Sequence, residues 1–190
     1  MGFTRVCGWL ALSSLLAAGA QTTATSTQAS VASATFTYMS DDGCVQNDVA
    51  VFANRTTVVS AKAPATTEQV TYFRYRHDDC ADSDLGTDQG TSLQPLFSGD
   101  LNRASLNATI NGYTASGSAI TVSFVLFWQG KGRIARQAGQ PQNTRAGGAG
   151  SMRNENLIRS AVVSGTMDGR DISAATVGAS LRTTRKTISR

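Results

Sequence analysis

The sequence predicts an all-β fold, built as an antiparallel β-sandwich or jelly-roll-like single domain. Three observations carry this expectation. Apolar residues recur at every second position in one run after another. Turn signals rich in glycine, aspartate and serine separate the runs. The apolar spacing of three and four that a helix requires is hinted at only from Met152 to Ile158.

The N-terminus is organised differently. Arg5 supplies a positive charge, Val6 to Ala18 is apolar except at Gly8, Ser13 and Ser14, and Ala18-Gly19-Ala20 forms an A-x-A site. Residues 1–20 therefore read as a secretory signal peptide. The run is shorter than the ~18–20 residues a membrane-spanning helix needs, and no lipobox precedes Cys7. Residues 21–35 are almost wholly Thr, Ser, Ala and Gln. They are expected to form a flexible linker, because so little apolar surface cannot offset the cost of ordering the chain. The β domain is expected over 36–182 and a basic tail over 183–190. No later segment is apolar for long enough to span a bilayer as a helix, so the expected location is secreted, periplasmic or cell-envelope.

The strands follow in order. Ala34, Phe36 and Tyr38 alternate with Ser33, Thr35 and Thr37. Val49 and Val51 open a second run that continues to Val58 and Val59, and Val70 to Tyr75 is β-branched and aromatic. Leu106, Ala108 and Ile110 alternate with Asn107 and Thr109. Ile120, Val122, Phe124, Leu126 and Trp128 share one face, while the other face turns apolar at Val125 and Phe127. Later runs cover Ile158 to Met167 and Ile172 to Leu181. Asp41-Asp42-Gly43, Gly86, Ser98-Gly99-Asp100 and Ser116-Gly117-Ser118 supply turns, and Met167-Asp168-Gly169-Arg170 predicts a type I′ hairpin. The longest expected non-strand segment, 129–153, is rich in glycine and arginine.

With the leader removed, Cys44 and Cys80 remain, and an even pair in an oxidising compartment reads as a disulfide. Net charge is +4, but residues 21–100 carry ten acids against four bases and residues 101–190 carry twelve bases against three acids. The halves attract each other, and leftover basic surface suits a polyanion.

Several short motifs stand together. They are Gly43-Cys44-Val45 with Asp48-Val49-Ala50-Val51-Phe52, then Ala104 to Thr109, Val122 to Gly132 with Trp128-Gln129-Gly130-Lys131-Gly132, and Val163 to Gly169. In this order they resemble a group of uncharacterised secreted bacterial β-rich proteins with a G-C-[IV]-x-x-D-V-x-V-F start and a W-x-G-x-G centre. The resemblance implies an exported β domain and no catalytic residues. Relatives carry a His- and Phe-rich stretch after the W-x-G-x-G segment, which the Arg- and Gly-rich loop replaces here. Asn54-Arg55-Thr56 and Asn107-Ala108-Thr109 are sequons that could carry a glycan in a eukaryotic secretory pathway, and the bacterial source that the resemblance implies would make them chance matches.

Three constellations could carry chemistry. Asp78, Asp79, Asp82, Asp84 and Asp88 form an acidic cluster around Cys80, the first four being candidate oxygen donors to calcium, although the spacing is not that of an EF-hand. His77, the lone histidine, lies near Cys80, but a bridged cysteine supplies no thiolate. No G-x-S-x-G elbow or zinc-ligand spacing is present. Lys131, Arg133, Arg136, Arg145 and Arg153 could bind anions, because arginine forks match their oxygens and glycine lets backbone N–H groups approach. The leading expectation is an exported, non-enzymatic module of unknown ligand, with no cofactor and no resident metal. The alternatives are a module that binds a polyanion or anionic surface through the basic loop, and a hydrolase with an unrecognised site.

Overall fold

Strand pairing in this chain closes on itself. The computed structural model describes residues 26–59, 64–93, 95–139, 142–145 and 149–189. Its strands are β1 (Ser26–Met39), β2 (Val45–Val59), β3 (Pro64–Asp78), β4 (Ser83–Ser92), β5 (Leu96–Gly99) and β6 (Arg103–Tyr113). They continue with β7 (Ala119–Gly130), β8 (Ala135–Ala138), β9 (Gln142–Arg145), β10 (Ala149–Met167), β11 (Arg170–Asp171) and β12 (Thr176–Ser189). Eight of them pair in the order β1-β2-β3-β4-β6-β7-β10-β12, and β12 returns to β1. Every pairing in the ring is antiparallel, so this is an up-and-down barrel. The all-β, antiparallel expectation holds, and the two layers of a sandwich are here opposite walls of one continuous sheet.

The period-two alternation explains the closure. Ala32, Ala34 and Phe36 of β1, Val49, Val51 and Ala53 of β2, and Val70 and Tyr72 of β3 all point inward and are buried. From the opposite wall come Leu106 and Ile110 of β6 and Val122, Phe124, Leu126 and Trp128 of β7. Each large apolar side chain removed from water contributes about 1.5–3 kcal/mol. The Tyr72 and Phe124 rings meet across the core at 5.5 Å, and the Trp128 indole N–H donates to the Ser33 carbonyl at 2.9 Å. The outer rows are hydroxyl-rich, as in Thr37, Asp48, Tyr75 and Thr87 across four adjacent strands. The outer face also carries exposed apolar residues, among them Phe52, Phe73, Val125, Phe127 and Val162.

Four expectations change. Residues 26–35 of the expected linker belong to β1, where hydrogen bonding to β2 on one edge and β12 on the other outweighs the lack of apolar bulk. Residues 183–189 of the expected tail form the end of β12, paired with β1 and β10 for the same reason. Within the expected loop 129–153, β8 and β9 pair along β10. The segment Met152 to Ile158 is strand, held between β12 and these short strands. The signal peptide, residues 1–20, and the linker's first residues lie outside the described residues.

The narrowest seam joins β4 to β6 through two residue pairs, Gln89 with Tyr113 and Gly90 with Gly112. A Cβ on Gly112 would stand 2.1 Å from the Gln89 carbonyl oxygen, so the backbones approach this closely only because a side chain is absent. At the same end of the barrel, Asp168 (φ 51) and Gly169 (φ 78) form the expected hairpin turn, both with positive φ.

Candidate functional site

The inward rows stay in phase after the apolar residues end. On β3 the order Val70, Tyr72, Arg74, Arg76 carries the alternation from core to mouth. Arg74 faces Asp88 directly across the β3–β4 pair. Asp88 is fully buried. Gly86 and Gly90 flank it on β4, where an added Cβ would stand 2.6 Å from Ala115 Cβ and 2.7 Å from Ile110 Cγ2, so neighbouring segments pack closely on both sides. Asn47 of β2, Tyr38 of β1 and Met167 of β10 complete the wall. The β1–β2 turn and the β10–β11 hairpin overhang it with Asp41, Asp168 and Arg170. The hollow is open to solvent and measures about 480 Å³, within the range of small-molecule sites, which often lie in barrel mouths.

The electrostatics of this mouth are specific. Arg74 donates to Asp88 Oδ2 from Nε at 2.9 Å and from Nη2 at 2.6 Å, and Arg76 Nη2 donates to Oδ1 at 3.2 Å. Burial weighs against the Arg74 charge, but hydrogen bonds with Tyr38 and Asp88 outweigh it and push its pKa up. Arg170 packs over the Tyr38 ring with its guanidinium carbon 5.3 Å from the centroid, donates to the Met39 carbonyl at 2.8 Å and pairs with Asp41. Burial pushes the Tyr72 phenol well above its ordinary pKa, so it stays protonated. Among the described residues, the buried side-chain polar atoms without a partner are Tyr72 Oη and Arg76 Nε. Both belong to the inward row of β3; Arg76 lines the mouth, and Tyr72 lies below it in the core against Phe124.

The expected site residues distribute as follows. Cys44 and Cys80 form the disulfide, with Cα atoms 5.2 Å apart, and join the start of β2 to the β3–β4 turn. The Cys–His pair therefore holds no thiolate. Asp78 caps that turn, accepting from the Cys80 and Ala81 amides at 3.0 Å each. Asp84, Asp79 and Asp82 face His77 at 2.9, 3.7 and 3.8 Å. The Asp84 hydrogen bond raises the His77 pKa, and the same carboxylate accepts from Tyr75. Among the described residues, the one tight group of metal-type ligand atoms is Cys44, Asp78 and Cys80, two of which are bridged sulfurs.

The basic residues do not converge. The Lys131 amide bonds Ser160 near one level of β10, Arg136 pairs with Leu157, and Arg145 pairs with Ala149. At about 3.3 Å per residue, that stretch of β10 spans roughly 35 Å. Lys131, Arg133, Arg136 and Arg153 are exposed, and Arg136 already pairs with Glu155 at 2.7 Å. The side chain of Arg145 lies outside the described residues.

Other hollows lie on the outer wall, including one of about 490 Å³ beside Phe127 and Val162. Hydroxyls near it bond each other, as Ser98 and Ser105 do at 2.9 Å, and no buried unpaired donor faces it among the described residues. The mouth is the site that sequence reasoning missed. The signal was the phase of T-Y-F-R-Y-R, which puts both arginines on the Tyr72 side of the strand, opposite Asp88 between its two glycines.

No family model matches the chain, and no curated protein matches it. Among solved structures it is similar to a protein from Nitrosomonas europaea given the provisional name AttH. The two are 14% identical with a TM-score of 0.28, over 85% of this chain and 51% of that one, so this chain spans about half of that protein's length.

Proposed function

We propose that this chain is an exported, non-enzymatic barrel module that binds a small molecule in its mouth. The observation that carries the reading is the coincidence of a cavity of about 480 Å³ with the buried, unpaired Nε of Arg76, one of its lining side chains. An unmade buried hydrogen bond costs about 1–3 kcal/mol, so folded proteins rarely keep one that neither water nor a bound group completes. Export is supported by the leader-like N-terminus and by the Cys44–Cys80 disulfide. No helix among the described residues is long and apolar enough to cross a membrane. A non-enzymatic role is supported by the bridging of Cys80, and by His77, which hydrogen-bonds Asp84 and lies near the carboxylates of Asp79 and Asp82.

The test is an amide NMR titration of the mature chain with benzoate and benzamide as small probes. Shift changes clustered at Tyr38 to Asn47, Tyr72 to Arg76 and Met167 to Arg170 are expected. Changes confined to Phe127 and Val162, or to the arginines along β10, would overturn the assignment of the site.

A further inference from the structure

The outer wall carries a hollow away from the mouth, and we infer that it binds an alkylated ammonium group, such as a quaternary ammonium, between Phe73, Tyr75 and Asp48. Phe73 and Tyr75 point outward from β3, and each keeps 39% of its surface exposed. They flank a hollow of about 390 Å³ whose other side is formed by Thr35 and Thr37 of β1. Register sets its shape. One cross-strand row runs Thr35, Ala50, Phe73, and the next runs Thr37, Asp48, Tyr75, Thr87. The short side chain of Ala50 lets the first row dip between a threonine and a ring, and Asp48 closes the end of that dip. Phe73 and Tyr75 are two residues apart on one strand, roughly 6.6 Å, so one cation can lie within the ~6 Å reach of both rings. The Tyr75 ring is held in place, because its hydroxyl donates to Asp84, which also bonds His77 Nδ1 at 2.9 Å.

Charge and hydration identify the occupant. Asp48 accepts from the Thr37 hydroxyl at 2.6 Å and from the Gln46 amide at 3.3 Å, both neutral donors. None of the ion pairs among the described residues includes Asp48, and no lysine or arginine lines the hollow. Its negative charge therefore stands beside two aromatic rings without a cation. The face of an aromatic ring also attracts a cation, through its quadrupole. Both features repel an anion, and a neutral ligand makes no use of the charge. A primary ammonium is strongly hydrated and has three protons to place on acceptors. The hollow offers mostly carbon surface and one carboxylate that already accepts from two side chains. An alkylated ammonium keeps the charge and presents carbon to the rings, which is the combination this wall matches.

The experiment is an amide NMR titration of the mature chain with three probes. They are choline, its neutral isostere dimethylbutanol with carbon in place of nitrogen, and its unmethylated analogue ethanolamine. The variants are Asp48→Asn, Phe73→Leu and, as a control elsewhere on the outer wall, Phe127→Leu. Choline is expected to bind at least about tenfold more tightly than either analogue, the scale of a cation held by two rings and a carboxylate. Its shift changes should centre on Asp48, Ala50, Phe73 and Tyr75. Asp48→Asn is expected to bring choline close to dimethylbutanol, Phe73→Leu to weaken choline about two- to fivefold, and Phe127→Leu to change nothing. Phe73→Leu keeps an apolar side chain at a half-exposed position, so it carries the test if Asp48→Asn does not fold. Equal binding of choline and dimethylbutanol would overturn the selection of a cation. Tighter binding of ethanolamine would overturn the preference for an alkylated one. No binding of choline, binding centred on the mouth, or binding indifferent to both Asp48→Asn and Phe73→Leu would overturn the site itself.

Discussion

Replacing Asp88 by asparagine tests the mouth as a piece of physical chemistry, before any ligand is considered. The side chain keeps its shape and loses its charge. Asp88 is fully buried and accepts three N–H groups at 2.6, 2.9 and 3.2 Å. In the variant, an amide nitrogen faces a guanidinium donor, and two cations share no anion. Removing one partner of a buried ion pair costs about 3–5 kcal/mol. Arg74 and Arg76 retain 18% and 28% exposure, so water moderates the loss, and about 3 kcal/mol is expected. For a domain of this size that is a fall in Tm of roughly 6–12 °C. Urea unfolding followed by Trp128 fluorescence should show the midpoint falling with its slope unchanged. In an Arg74→Met background the same substitution should cost at least about 1 kcal/mol less, because the two residues are coupled. A loss under about 1 kcal/mol, the worth of an exposed pair, would refute the reasoning.

Three further perturbations probe other parts of the barrel. Cys44→Ala with Cys80→Ala opens a span of 36 residues and should lower stability by about 3–4 kcal/mol in urea unfolding, without changing the ring of strands seen by amide exchange. His77, the lone histidine, should titrate by NMR above its ordinary value of 6.5, because Asp84 holds its proton. Its contribution to stability is complete below that value and is lost as pH rises through the raised one, so His77→Gln should flatten the fall in Tm across that window. A His77 signal titrating below 6.5 would contradict the cluster. Gly112→Ala places a methyl against the Gln89 carbonyl at the β4–β6 seam and should destabilise by about 1–3 kcal/mol, with faster amide exchange at Gln89 and Tyr113. Unchanged stability would mean that the seam is looser than described.

The alternation made most of the walls legible. Val122, Phe124, Leu126 and Trp128 are buried as their spacing requires, and Asp168-Gly169 turns with two positive φ angles as that dipeptide predicts. Closure was not legible, because the pairing of β12 with β1 joins residues near opposite ends of the chain and leaves no local signature. The same long-range pairing makes strand of a Thr/Ser/Ala tract whose composition favours disorder. The Arg/Gly segment misled for a related reason: charge density along the sequence says nothing about convergence, and here it lies along one strand. Arg74, Arg76 and Asp88 were hidden in plain alternation, since inward polar residues stand out only once the strand's phase is tied to a core.

The central claim, that the mouth holds a small molecule, is tested most directly by a crystal structure of the mature chain soaked with benzoate or benzamide. The account predicts a probe in the mouth within hydrogen-bonding distance of Arg76, with its ring against Met167 and Tyr38. Benzoate on the arginines along β10 or in the hollow beside Phe127, with the mouth unoccupied, would contradict it.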